Sequence, residues 1–167
     1  MPDTREMNCA TLAATLDHEA DLLLRLAALL AEQRSAVAAV SPELLQGLTD
    51  ELSQVLADLD RSRSGRRMVL ATLTGRSEAR LSELEALLAD PLPARIREAR
   101  ARLLQAAQEA GQQTAINRVV LKRATEHGQS RLQRIFAQAV REVPQYRPGS
   151  TPAPPAAGGS VMVNRIG

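Results

Sequence analysis

Leucine and alanine recur at steps of three and four through most of this chain, and that spacing predicts helices. The first apolar stripe is Leu12, Leu16, Leu23, Leu26, Leu30 and Val37, close to a heptad, with Asp17, Glu19 and Asp21 placed outside it. Residues at this spacing fall on one face of a helix. The helix is predicted over about 8–40, with Asn8 as its cap and residues 1–8 frayed. At about 1.5 Å per residue it is near 50 Å long, which suits a coiled-coil hairpin. Ser41-Pro42-Glu43 restarts the pattern: a cap, a proline in the first turn, then an acid. The second stripe is Leu45, Leu48, Leu52, Val55 and Leu59, then Val69 and Leu73 after a basic interruption. That interruption, Arg61-Ser62-Arg63-Ser64-Gly65-Arg66-Arg67, reads as a solvated helix face with a tolerated glycine. An anionic-ligand site is the alternative. Thr74-Gly75 gives a helix stop.

A short third helix is predicted over 77–88, ended by Asp90-Pro91-Leu92-Pro93. The fourth and longest is predicted from near Pro93 to about Val143, with Gly111 and Gly128 inside it and Pro144 ending it. Its stripe is Ile96, Ala99, Leu103, Ala106, Ala110, Asn117, Val120, Ala124, Leu132, Ile135 and Ala139, with wider gaps after Ala110 and Ala124. Three long helices joined by short turns imply an all-α fold, an elongated antiparallel coiled-coil bundle running up-down-up. Residues 77–88 serve as its elbow. The helical domain is expected over 1–146, followed by a flexible Pro/Gly-rich tail over 147–167.

Composition agrees with this pattern. Of 167 residues, 44% are apolar, but only one Phe (Phe136), one Tyr (Tyr146) and no Trp are present. Strands draw on aromatic and β-branched residues, which are scarce here, and Ala, Leu, Arg, Glu and Gln favour helices. The net charge of +2 hides an asymmetry. Residues 1–90 hold nine basic and fifteen acidic side chains, and residues 91–147 hold eleven and four. Opposite signs favour packing the late helix on the early ones, and they leave a basic surface for an acidic partner. The single cysteine, the polar start and the lack of an apolar run of about 18 residues point to a cytoplasmic protein without stable membrane insertion.

Chemistry is sparse. His18 and His127 share no metal-ligand spacing with each other or with Cys9. His18 reads as a surface residue, His127 as a bundle-edge residue and Cys9 as a small residue at the end of the core. No nucleotide-binding, hydrolase or zinc motif is present. The chain is therefore read as a non-enzyme with no cofactor, no metal and no catalytic residue. Arg95, Arg97, Arg100, Arg102, Arg118, Lys122, Arg123, Arg131 and Arg134 suit phosphate contacts, so a basic nucleic-acid-binding bundle or a coiled-coil adaptor stands as the alternative. No stacking aromatic or recognition motif supports it, and no nucleic acid is expected. The favoured reading is recognition, with the last helix receiving an amphipathic helix from a partner. Tyr146 is either a short linear contact or packs back on the bundle end.

The layout resembles the FlgN family of flagellar export chaperones. The resemblance lies in the Leu-rich first helix, the second helix stopping at Leu73-Thr74-Gly75, and the short connecting helix. It includes Asn117-Arg118-Val119-Val120-Leu121 and Leu132-Gln133-Arg134-Ile135 in the last helix. Tyr146-Arg147-Pro148-Gly149 opens the tail, where the family pattern is closer to Tyr-Gly-Pro. The resemblance implies a cytoplasmic chaperone for hook–filament junction (hook-associated) proteins. It would hold their C-terminal helical segments and deliver them to the type III export gate. The implied client-binding residues are Asn117, Val120, Leu121, Ala124, Leu132, Ile135, Phe136 and Ala139. Tyr146 is the implied contact with the cytoplasmic domain of the gate. Monomer or homodimer stays open.

Overall fold

The computed structural model describes residues 4–87 and 91–142, with side chains described as far as 138. The fold is all-α, with three long helices and a short connecting one. Helix α1 is Thr4–Ala39 and α2 is Pro42–Thr74. A 3-10 turn, Leu81–Glu83, leads into the single-turn α3, Leu84–Leu87, and α4 is Ala94–Glu142. The chain divides into two compact units, Met1–Gln129 and Ser130–Gly167. The packing described next lies within the first.

Side-chain pairs fix the helix directions. Arg25 meets Glu51 at 2.6 Å and Arg66 meets Glu19 at 2.6 Å, so α1 and α2 are antiparallel. Along α4, Arg102 meets Asp17 and Asp21, and Asn117 meets Gln33. These partners rise together along both helices, so α4 returns parallel to α1 and the order is up-down-up. The largest fully buried side chains are Leu12, Leu16, Leu29, Leu59, Leu84 and Ile96. Helix α1 also buries Ala13, Ala20 and Ala27, seven residues apart on a second row beside its leucines. It therefore has two contact faces, and small side chains on one of them let a neighbouring helix approach closely.

Four local expectations change. The helix begins at Thr4, so Asn8 lies inside it and is not its cap. Glu19, placed on the outer face by its charge, is 3% exposed. Of the helix expected over 77–88, residues 77–80 are not helical, because α2 ends at Thr74 and the chain stays extended or turned until Arg80; residue 88 lies outside the described residues. The basic run is continuous α2, yet Arg63 and Arg66 reach inward to Glu19, so it is not simply a solvated face. The predicted end at Thr74-Gly75 is correct. Gly75 takes a left-handed φ of 68° and donates its N–H to the Ala71 carbonyl.

The turn between α1 and α2 uses a less suitable residue. The Ser41 N–H reaches the Ala36 carbonyl and the Val40 N–H reaches the Val37 carbonyl, both at 3.2 Å. That is the bonding of a Schellman ending, whose left-handed position usually holds glycine. Here Val40 occupies it at φ 53° with 83% of its surface exposed. A β-branched side chain there costs about 1 kcal/mol or more and contributes little packing in return. Val40→Gly is expected to raise Tm by roughly 3 °C in thermal unfolding.

Candidate functional site

The interhelical seam shows where the sequence pattern is interrupted. Extending the three–four alternation from Leu16 lands on Glu19, and from Leu59 it lands on Ser62 and Arg66. From Leu30 it lands on Gln33, and from Ala110 on Gln113 and Asn117. The gaps in the predicted stripes are therefore seam positions held by polar residues. The structure brings them together in two layers.

In the first layer the Glu19 carboxylate, its side chain 4% exposed, accepts from Arg66 Nη1 at 2.6 Å, with Arg63 Nε at 3.6 Å. In the second, Asn117 Nδ2 donates to Gln33 Oε1 at 2.7 Å, and Arg34 donates to Gln113 Oε1 at 2.5 Å. Asn117 is 5% exposed, and its Oδ1 is buried without a hydrogen-bond partner. Polar seam residues of this kind set register at some cost in stability. Asn117→Ala would strand the Gln33 carbonyl. The expected loss is about 1.5 kcal/mol of unfolding free energy in a urea titration.

Outside the seam, Asp17 and Asp21 hold Arg102. The Asp17 hydrogen bond, reinforced by the charge of Asp21, pushes the guanidinium pKa above its ordinary value. The acidic face of α1 thus takes up part of the charge of α4, with Arg95 also 3.7 Å from Asp17.

The character of α4 changes after Asn117. Gln33 faces Asn117, and α1 has only six residues left, ending at Ala39. At equal rise along parallel helices, α4 runs out of α1 partner near residue 123. Burial follows that limit. Ile96, Ala99, Leu103, Ala106 and Ala110 are buried, Val120 and Leu121 are half-buried, and Ala124 is exposed. Ile116 and Val119, which the stripe omits, are 41% and 50% exposed. Further along α4, Leu132 and Ile135 are each 55% exposed and Phe136 is 66% exposed. The Ala139 side chain and Tyr146 lie outside the described residues, as does the tail over 147–167.

Cations accompany these apolar groups. Arg118, Lys122, Arg123, Arg131 and Arg134 are exposed, and Glu126 is the one acid between 117 and 138. In each stretch exposed apolar side chains thus stand among cations. Both His18 and His127 are exposed and far apart in sequence. Cys9 is buried at the start of the core. Among the described residues no helix is long and apolar enough to cross a membrane.

A family model described as FlgN protein matches residues 7–148. No curated protein and no solved structure matches the chain.

Proposed function

This chain belongs to the FlgN family of flagellar export chaperones, and on that footing we propose that it carries hook–filament junction proteins to the flagellar type III export gate. The observation behind the proposal is the part of α4 beyond Asn117, where large apolar side chains stay exposed among cations. A client's C-terminal amphipathic helix lays its apolar face on Val120, Leu121 and Ala124, and on Leu132, Ile135, Phe136 and Ala139. Acidic client residues meet the cations. Asn117, engaged with Gln33, marks where this surface begins.

Burying about 600 Å² of apolar surface supplies on the order of 15 kcal/mol before costs. Lost translational freedom and the ordering of the client helix consume a large part of that, leaving affinity in the micromolar range or tighter. A carrier that must release its cargo has no use for more. Binding alone keeps the client's assembly surface covered, so no catalytic group is required. The working compartment is the cytoplasm, and Tyr146 contacts the cytoplasmic domain of the gate.

Tyr146→Ala tests the division of labour. Client binding by calorimetry is expected to stay within about twofold, while secretion of the client falls sharply. Loss of client binding in that variant would place Tyr146 in the cargo site instead. The exposed cations also suit phosphate contacts. A gel shift with duplex DNA or RNA at low salt is expected to be flat, and a strongly salt-dependent shift would favour the nucleic-acid alternative.

A further inference from the structure

A second surface lies within the first unit, well before the exposed end of α4. It is an open groove of about 560 Å³. Its floor is Leu23 and Leu26 of α1, and its α4 wall includes Ala107, Ala110, Gly111 and Thr114. Those four α4 positions are spaced i, i+3, i+4 and i+7, so they form one smooth strip of small side chains. Helix α2 lines one end only, where Arg63 and Arg66 stand across from Arg100, and Leu81 and Ser82 close that end. From Arg100 to Thr114 the groove follows α4 for about 21 Å.

Its charge is uneven. Three arginines gather at the closed end, and the one carboxylate in the lining, Glu19, is already engaged by Arg66 at 2.6 Å. The other pairs are longer, and Arg63 is also 3.6 Å from the same Glu19 carboxylate. Arg63 is 3.6 Å from Asp60 and Arg100 is 3.7 Å from Glu85, with the arginine side chains 44% and 38% exposed. Pairs of that kind exchange partners at little cost. The closed end thus presents Arg100 as the more readily replaced cation, with Arg63 shared between Asp60 and the buried Glu19, and the rest of the trough is lined by leucines and small side chains.

We propose that this groove is a docking site for a partner's amphipathic helix that has a leucine ridge and acidic residues in its C-terminal turn. The ridge seats along Ala107, Ala110, Gly111 and Thr114. The acidic turn lies at Arg63 and Arg100. The orientation follows from the helix dipole, since the C-terminal end of a helix is its negative end and complements arginines. The site is separate from the α4 surface beyond Asn117 and does not depend on it.

The test uses the full chain and a synthetic amphipathic helix of about four turns, with leucines spaced three and four apart and glutamates confined to the last turn. Binding is read by fluorescence anisotropy and by amide chemical shifts. No atom lies within 4 Å of a Cβ built on Gly111. Gly111→Leu therefore fills the trough while removing a mid-helix glycine, and Tm is expected to rise. Its affinity for the peptide is expected to fall at least about tenfold. Arg63→Gln with Arg100→Gln is expected to weaken binding and flatten its salt dependence. Ile135→Asp with Phe136→Asp should leave it unchanged, which separates failure here from failure of the client site. Unaltered binding by the folded Gly111→Leu protein would overturn the proposal. So would shifts of residues 161–167 in the free Gly111→Leu protein, which would assign the groove to the chain's own end. Concentration-dependent self-association abolished by Gly111→Leu would assign it to a second copy.

Discussion

Ile135→Asp with Phe136→Asp is expected to weaken client binding by at least about 100-fold while leaving Tm within about 1 °C. The two side chains are 55% and 66% exposed, so folding gains little from them. Exposed substitutions of this kind usually move stability by no more than about 0.5 kcal/mol. In the complex they become buried apolar contacts, and large side chains at such centres cost on the order of 2 kcal/mol each when lost. A carboxylate pressed against the client's apolar face adds a desolvation cost. Two such losses exceed the roughly 2.8 kcal/mol that a 100-fold change requires. Calorimetry with the client segment reads the affinity, and circular dichroism reads the fold. A drop in binding with an equal drop in Tm would mean that these residues serve structure and not cargo.

The second large effect concerns folding alone. Arg66→Met is expected to cost about 3 kcal/mol, because it leaves Glu19 buried with only the longer contact to Arg63. Glu19→Leu is expected to cost less, since Arg66 retains 22% exposure and opens onto the groove, where water can receive it. Combining Glu19→Leu with Arg66→Met should recover most of the loss, as replacing both members of a buried ion pair by apolar groups often does. Chemical denaturation of the three variants gives the cycle. An Arg66→Met protein as stable as the parent would show that the pair contributes only at the surface.

The long helices were legible because their packing repeats every three or four residues over many turns, and Leu48, Leu52, Val55 and Leu59 fall where that rule puts them. The up-down-up order followed from the breaks between helices, one marked by Gly75 and one by Pro42. Less legible were residues whose chemistry masks their position. Glu19 and Arg66 occupy seam positions but look like surface residues one at a time, and only reading both helices together pairs them. Arithmetic on Leu16 and Leu59 would have found them.

The short connecting helix starts later than the leucines and glutamates over 77–88 suggest, because the chain leaving α2 at Gly75 first turns, and helix begins only with the 3-10 turn at Leu81. Of the candidate surface, Val120, Ala124, Leu132, Ile135 and Ala139 lie on the periodic stripe and Leu121 and Phe136 do not, and the pattern does not say where α1 stops. Burial of Asn117 against Gln33, and exposure of Ala124, depend on the relative lengths and register of two helices far apart in sequence.

Hydrogen exchange on the full chain, with and without the client's C-terminal helical segment, addresses the central claim most directly. New protection is expected of α4 amides over 118–138, with little change over 96–117 or in α1. Protection confined to 100–114 or to α1 and α2, with 118–138 exchanging as in the free protein, would contradict it.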